Sequence, residues 1–521
     1  MVVESAQHWG EQDAVIDGAC QLSFQGLADL MAQVAQSLIA SGIKPGDRVA
    51  IWAPNSISWI PAALGVLAVG AWLVPLNTRL KGEEAAYILD KTDAAMLLTV
   101  DGFLGFNYVE LLRACAPSLR ALNKTVILPN PGSMETPSWQ NFLQTGESVD
   151  SRQVYELIAK LSAEDISDII FTSGTTGQPK GVMLRHGASL KGYGNFNHAF
   201  GLNAASRYII TTPFFHCFGY KAGWMMALMH GAASYPVAIF DGRKTLELIS
   251  ENGITHMGGS PTMFTAMLDD PEREKFDLST LETAVISASS IPEQVVQRVR
   301  NELGISSTLT GYGLTEHHGF ASLTQADDDV DVVITTAGKI TPDIEARVVD
   351  TEGNDVSPGE DGELLLRGYL AMSGYYEDEK ATAETLVDGW LHTGDIVRMN
   401  PQHYITITDR KKDIYIMGGF NVAPAEVEQV LLSMEGISQI AVVAAPDEKF
   451  GEVGAAFIIA APDSTINAEQ VIQYAREHLA NYKVPRYVEF VDGFPLNAMG
   501  KVLKRDLKTV IENKLQKSNA S

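Results

Sequence analysis

Phe171-Thr-Ser-Gly-Thr-Thr-Gly-Gln-Pro-Lys-Gly181 is the stretch on which the reading of this chain turns. Just before it, Asp168-Ile-Ile170 reads as the end of a strand, so the stretch is a loop leaving a buried strand. Gly174, Gly177 and Gly181 let the backbone approach a polyphosphate and turn its N–H groups inward. Thr172, Ser173, Thr175 and Thr176 add hydroxyl donors, and Lys180 adds a point charge. The lysine follows Gln-Pro rather than glycine, so this is not a Walker A loop. A flexible polar surface loop is the competing reading. An unbroken run of hydroxyl and glycine positions leading into Pro-Lys-Gly is hard to explain as incidental.

Outward from this loop, short apolar runs alternate with amphipathic runs of helical length. Candidate buried strands are 48–53, 95–100, 208–212, 283–286 and 307–311; helical patterns cover 24–41, 245–252 and 292–303. Such alternation argues for α/β layers with largely parallel sheets. Residues 59–76 are uncharged and almost long enough to span a bilayer. They contain Pro61, Gly65, Gly70 and Pro75 and end in Trp72-Leu73-Val74, which predicts a buried helix running into a buried strand. From about Asp343 the pattern changes: 343–350 and 362–368 read as strands around a turn-rich stretch, a small antiparallel barrel or sheet. A charged stretch, Arg410-Lys411-Lys412-Asp413, then leads into an α+β pattern. There a helix starts at Pro424, strands cover 440–445 and 455–461, and a helix covers 468–480. The domain boundary is placed near residue 410.

At 521 residues the chain is too long for one comfortable core. Acidic residues outnumber basic ones 64 to 39, a formal charge of −25, which argues against nucleic acid or an anionic membrane as the main partner. Cys20, Cys115 and Cys217 are too few and too scattered for a disulfide framework or a zinc cluster. Neither terminus carries a secretory, lipidation or organelle signal, so no integral membrane segment and a cytoplasmic location are expected.

The phosphate loop resembles that of the adenylate-forming superfamily, which includes acyl-CoA synthetases, non-ribosomal adenylation domains and beetle luciferases. Further matches follow in the family's order. Gly311-Tyr312-Gly313-Leu-Thr315-Glu316 resembles its adenylate-binding segment, and Gly389-Trp-Leu-His-Thr-Gly-Asp395 its ribose-binding segment. Thr408-Asp-Arg-Lys-Lys-Asp413 resembles its hinge, and Pro495-Leu-Asn-Ala-Met-Gly-Lys501 its C-terminal lysine loop. The resemblance runs from about Gln21 to Asp506. It implies an α/β chain with a large N-terminal domain, 1–410, of two layered α/β sheets plus a small β-barrel at about 340–410. A small mobile α+β domain, 411–521, would follow and carry the catalytic lysine.

It also implies the chemistry. A carboxylate attacks the α-phosphate of ATP, so cations and donors must offset the gathered negative charge. By resemblance Glu316, with Thr176, holds Mg²⁺, a hard cation suited to oxygen ligands. Thr315 donates to the α-phosphate, Tyr312 stacks on adenine, and Asp395 accepts both ribose hydroxyls. Arg410 supports the ribose; Ser289 and Ile407 complete the nucleotide site. Lys501 reaches the acyl carboxylate and the α-phosphate. Transfer to coenzyme A would follow rotation of the small domain about Lys412, with Met417-Gly418-Gly419-Phe420 lining the pantetheine tunnel. Gly418-Gly419 reads equally as a β-turn.

The acyl side is carried by Pro213-Phe-Phe-His-Cys-Phe-Gly-Tyr-Lys-Ala-Gly223, which resembles the acyl-lining segment, with His216 at its mouth and Phe218 and Gly219 along it. Gly258-Gly259-Ser260-Pro261-Thr262 and His317-His318-Gly319 would complete the walls; Gly223, Gly258, Gly259 and Gly319 are expected to leave room for a bulky acid. Lys221 is unusual in so apolar a segment and reads either as a contact to a polar substrate group or as a structural ion pair. Ser287-Ala-Ser-Ser290 and Ala423 depart from the common family pattern. Within the superfamily, residues 214–223, 418–428 and 476–483 resemble ligases that activate the bicyclic propanoate left after bacterial steroid ring cleavage. The expected reaction is therefore acid plus ATP to acyl-AMP and pyrophosphate, then acyl-CoA and AMP, with a small-molecule carboxylic acid, a bulky cyclic propanoate, as the expected substrate. Alternatives are a medium- or long-chain fatty acid or aromatic acid CoA ligase, a stand-alone adenylation enzyme loading a carrier protein, a luciferase-type oxygenase, and a non-catalytic nucleotide binder. The last would be expected to lack Lys501, Asp395 or Glu316, and all are present. Relatives commonly form homodimers, and a homodimer is the corresponding expectation here.

Overall fold

In a computed structural model of the chain, the described residues are 1–172, 178–287, 293–350, 352–410, 415–422, 424–461, 464–495, 502 and 504–519. Two compact units emerge: 1–78, 85–171 and 181–408 form the first, and 79–84, 172–180 and 409–521 the second.

The first unit holds two large sheets. In one, strands Ser307–Tyr312, Thr283–Ile286, His256–Gly259, Arg207–Ile210, Ala233–Pro236 and Asp13–Asp17 lie side by side and parallel. Short antiparallel strands extend both edges to nine. In the other, of seven strands, Ile166–Thr172, Trp72–Pro75, Arg48–Trp52, Met96–Thr99 and Thr125–Ile127 run parallel. Several of these strands, such as Arg48–Trp52 and Met96–Thr99, are short, largely apolar and buried runs, the pattern of a parallel sheet covered on both faces. Leu246, Ile249, Phe264, Met267, Val296 and Val299 pack on Ile209, Met257, Ala284 and Ile286 of the nine-stranded sheet.

Residues 59–76 resolve as helix Trp59–Ala68 followed by strand Trp72–Pro75. The helix is buried on every side, and Gly65 lets it cross helix Phe24–Ala40 closely: a Cβ there would collide with the Val34 side chain. Helix Phe24–Ala40 begins where Ser23 Oγ accepts the Gly26 N–H, and turns Phe24, Leu27, Ala28 and Met31 inward. Strands Ile344–Val349, Gly362–Gly368, Trp390–Met399, Leu386–Val387 and Ile405–Arg410 form the expected small antiparallel sheet.

The second unit is a five-stranded sheet with helices on both faces. Along strand Ile437–Asp447 the side chains alternate. Val442 and Ala444 face a core with helices Pro424–Leu432 and Ala468–His478, while Ala441, Val443 and Ala445 face Leu507 and Ile511 of helix Lys504–Asn519. Asn467 and Gln470 close a reciprocal capping box at the start of helix Ala468–His478.

Candidate active site

Four adjacent parallel strands of the nine-stranded sheet bring the candidate segments to one edge. The register aligns Gly258 with Ile210, Gly259 with Ile286, and Ile286 with Thr310. The chain therefore leaves three of the strands at the same level, at Thr211, Ser260 and Ser287, while the fourth runs on through Gly311 to Tyr312 against strand Ser322–Leu323. Ligand sites of open parallel sheets form at this carboxyl edge. The exits also hold one another: Thr211 Oγ1 donates to the Gly258 carbonyl (2.9 Å), and Ser287 Oγ donates to the Gly311 carbonyl (3.0 Å).

Tyr312 and Asp395, far apart in sequence, meet directly. The Tyr312 hydroxyl donates to Asp395 Oδ2 at 2.5 Å, with both residues buried. Asp395 is aimed by a bulge. Glu363 pairs with Ile396 and Leu365 with His392, so Thr393, Gly394 and Asp395 together oppose Leu364, and Gly394 takes φ +71°. Thr393 Oγ1 donates to the Leu364 carbonyl and accepts the Asp395 N–H, while Glu363 Oε1 accepts the Gly394 N–H.

Beyond Tyr312, Gly313 is required by contact: a Cβ there would run into the backbone of Gly319 and Phe320. Thr315, Glu316 and His317 form a 3₁₀ turn. The Tyr375 hydroxyl donates to Glu316 Oε1 (2.8 Å), and the Glu316 carbonyl accepts the Met372 N–H. Burial first, then the Glu316 charge, raises the Tyr375 phenol above its usual range, so it stays a donor. Glu316 is thus one oriented carboxylate. That suits Mg²⁺, which takes one or two protein carboxylates together with nucleotide phosphates; no cluster of His, Cys, Asp and Glu among the described residues forms a metal cage of its own.

His317 is fully buried, and burial lowers its pKa to about 4. Its neutral ring donates from Nδ1 to the Phe320 carbonyl (2.7 Å), leaving Nε2 as a buried acceptor without a partner. His318, at φ +56°, is a clasp: Nδ1 donates to the Leu370 carbonyl and Nε2 accepts the Arg185 N–H.

On the acyl side, His216 caps the short helix Cys217–Gly219, Nδ1 accepting the Phe218 N–H at 3.3 Å. The residue is exposed, and the protein packed around it disfavours the charged ring, bringing its pKa down to about 4. The glycines do not open space as expected. A Cβ at Gly219 would meet the Thr212 and Pro213 carbonyls, at Gly258 the Phe218 ring, and at Gly319 the Cys217 side chain. At Gly223 and Gly259 the fit is tight rather than closed, with the Ile210 and Met263 side chains 3.1 and 3.3 Å from where a Cβ would stand. Their smallness admits neighbouring protein. Lys221 is fully buried, with Nζ 3.1 Å from Asp168 Oδ2 and 2.8 Å from Ser189 Oγ, the ion-pair alternative.

In the second unit, Gly418 (φ +55°) and Gly419 (φ +86°) make the two-residue turn joining strands Tyr415–Met417 and Phe420–Val422. Positive φ at both central positions is what a type I′ hairpin turn needs. Lys180 opens strand Lys180–Arg185, Arg410 ends strand Ile405–Arg410, and Ile407 is exposed on that strand. Ser173, Gly174, Thr175, Thr176, Gly177, Ser289, Lys412 and Lys501 lie outside the described residues.

Sequence reasoning missed Tyr375 as the partner of Glu316. It also missed Asn55, whose Nδ2 donates to the Ile210 and Thr212 carbonyls while Oδ1 accepts the Phe214 N–H. Asn55 thereby pins the acyl-side segment from beyond the end of strand Arg48–Trp52. No local motif marks either residue; a buried asparagine among apolar neighbours was the only signal.

Residues 2–376 match the AMP-binding enzyme family, and residues 426–501 match the AMP-binding enzyme C-terminal domain. A methyl-dioxo-octahydroindenyl-propanoyl:CoA ligase of Mycobacterium tuberculosis is 44% identical over 92% of each chain. The ligase of the same description from Rhodococcus jostii is 40% identical over 97% of this chain and 96% of its own. Among solved structures, an o-succinylbenzoate CoA synthetase of Bacillus subtilis, bound to a CoA product analogue, superposes with a TM-score of 0.81 at 25% identity over 98% of both chains.

Proposed function

Because the chain belongs to the AMP-binding enzyme family, we propose that it is an acid–thiol ligase that joins a bulky cyclic propanoate to coenzyme A through an acyl-adenylate. In the first half-reaction a carboxylate oxygen of the acid attacks the α-phosphorus of ATP, and the bond to the β-phosphate oxygen breaks to release pyrophosphate. In the second, the CoA sulfur attacks the acyl carbonyl; the thioester forms, AMP leaves, and the thiol proton is lost.

The observation that carries the reading is the Tyr312–Asp395 hydrogen bond at the carboxyl edge of the parallel sheet, one turn of chain from Glu316. It joins an aromatic platform suited to a base and a carboxylate suited to a ribose diol. In this reading Glu316 and Thr176 hold Mg²⁺, which supplies charge neutralisation for the phosphates. Thr172, Ser173, Gly174, Thr175, Thr176, Gly177 and Lys180 cradle the leaving pyrophosphate, Thr315 donates to the α-phosphate, and Lys501 bridges the two reactants. His216, Phe218 and His317 bound the acid. The propanoate assignment is supported by the two bicyclic propanoyl:CoA ligase relatives. Among the described residues no helix is long and apolar enough to cross a membrane.

The test is pyrophosphate release with Mg²⁺-ATP across cyclic propanoates, aromatic acids and medium- and long-chain fatty acids, with and without CoA. Acid-dependent release, greatest for cyclic propanoates and accompanied by a thioester of the expected mass, is the expected result. Far more efficient activation of plain fatty acids would overturn the substrate assignment. Release without any thioester would overturn the acceptor.

A further inference from the structure

The first unit buries a charged cluster that the proposed chemistry does not use. Lys221 Nζ sits 3.1 Å from Asp168 Oδ2 and donates to Ser189 Oγ at 2.8 Å; Ser167 Oγ donates to the same carboxylate oxygen. Lys221 and Asp168 are both without solvent exposure. The cluster ties together three elements: Asp168 belongs to strand Ile166–Thr172 of the seven-stranded sheet, and Ser189 to helix His186–Phe200. Lys221 follows strand Arg207–Ile210 of the nine-stranded sheet.

Local backbone irregularity accompanies the lysine. Residues Tyr220–Met225 form a π-helical turn, with Gly223 at φ −89° and ψ −113°, and Tyr220 stacks on Trp224 at 4.9 Å. Such turns are uncommon and concentrate at functional positions. A buried ion pair is a poor route to stability, since apolar residues of similar volume usually serve as well; its best-attested use is to fix register. What this one registers is visible from its chain neighbours. Strand Ile166–Thr172 runs on from Asp168 to Thr172, where the glycine-rich sequence follows, and just before Lys221 lie His216, Phe218 and Gly219.

We propose that the Asp168–Lys221–Ser189 cluster is a positioning device that locks the acid-side segment to the strand feeding the phosphate-side loop, keeping carboxylate and α-phosphate in attack register. This rests on the adenylate-forming reading above. The positioning matters for the first half-reaction, in which the acid and ATP must meet. It matters much less for the second, when pyrophosphate has gone and the acyl group is already attached to AMP.

The experiment compares the double variant Lys221→Met/Asp168→Leu, which removes both charges at similar volume, with wild type and with Ser189→Ala. Three quantities are read: melting temperature, ATP–pyrophosphate exchange with a cyclic propanoate, and thioester formation from supplied acyl-adenylate and CoA without ATP. The double variant should melt at or above the wild-type temperature and lose about 100-fold in exchange, the scale of an ångström misplacement. Its thioester formation should stay close to wild type. Ser189→Ala should show a smaller loss of the same selectivity, and it decides the matter if the double variant does not fold. Wild-type exchange in the variants, or an equal loss in both half-reactions, would overturn the proposal in favour of a purely structural pair. A wild-type protein that exchanges pyrophosphate with no acid would instead remove the adenylation reading beneath it.

Discussion

Removing one hydroxyl, in Tyr312→Phe, tests the nucleotide side most sharply. The phenol donates to Asp395 Oδ2 at 2.5 Å, and both residues are less than a tenth exposed. A hydrogen bond to a charged group of this kind contributes about 1.5–3 kcal/mol, and its loss leaves a buried carboxylate short of a donor. If that bond orients Asp395 for the ribose, the cost falls on ATP recognition: kcat/KM for ATP should drop by roughly 10- to 150-fold. The aromatic ring remains, so adenine stacking is preserved; Tyr312→Leu, which removes both functions, should lose more. Pyrophosphate exchange is then measured with ATP and with 2′-deoxy-ATP. Wild type should favour ATP, Asp395→Ala should remove most of that preference, and Tyr312→Phe should weaken it. A Phe variant with wild-type kcat/KM and an unchanged ATP to deoxy-ATP ratio would refute the argument that this hydrogen bond prepares a ribose acceptor.

Further expectations concern other parts of the site. Glu316→Gln keeps the shape and the contact with Tyr375 but removes the charge, so exchange should fall and its half-saturating Mg²⁺ concentration rise; an unchanged Mg²⁺ dependence would exclude Glu316 as a ligand. Lys501→Ala should abolish exchange while the melting temperature stays near wild type, and full exchange in that variant would end the assigned role. His256 and His317 are buried, and burial lowers both to about 4. Between that value and the ordinary 6.5 the unfolded chain binds protons that the folded one refuses. Stability should therefore rise with pH across this window and be lost on acidification, by up to about 1.4 kcal/mol per pH unit for each histidine. Urea unfolding at several pH values between 7 and 5 checks this, and a His256→Asn variant whose pH slope matches wild type would contradict the assignment for that residue.

Much of the fold was legible because burial writes a pattern into the chain. Strand Thr283–Ile286 carries four apolar or small residues covered on both faces, and its limits coincide with the expected ones. Strand Gly362–Gly368 is likewise bounded by the glycines that mark its ends in sequence. Residues 59–76 were separable from a membrane span because prolines and glycines divide them into helix and strand. Edges were less legible. The strand expected at 440–445 runs from Ile437 to Asp447, because pairing with Gly451–Ala460 recruits polar residues that no apolar run announces.

The site divides along a different line. Residues inside local motifs, such as Tyr312, Glu316 and Asp395, could be singled out because glycine-bearing turns accompany them, and Gly394 is the residue that makes the bulge aiming Asp395. What the motifs could not reveal is who meets whom. That Tyr375 holds Glu316, and that Asn55 holds the segment before His216, depends on strand order, which no short window encodes. The glycines of the acyl side show the opposite hazard. Their small size suggested space, but a glycine is also what allows neighbouring protein to approach: backbone carbonyls fill the place of a Cβ at Gly219, and side chains fill it at Gly258 and Gly319. Room for a bulky acid must then come from where side chains end, not from where they are missing. His216, exposed at the start of helix Cys217–Gly219, is the residue from which such a place would be sought. Substitutions that fill the space beside it should therefore alter acid selectivity, whereas alanine at the three closed glycines should cost stability first.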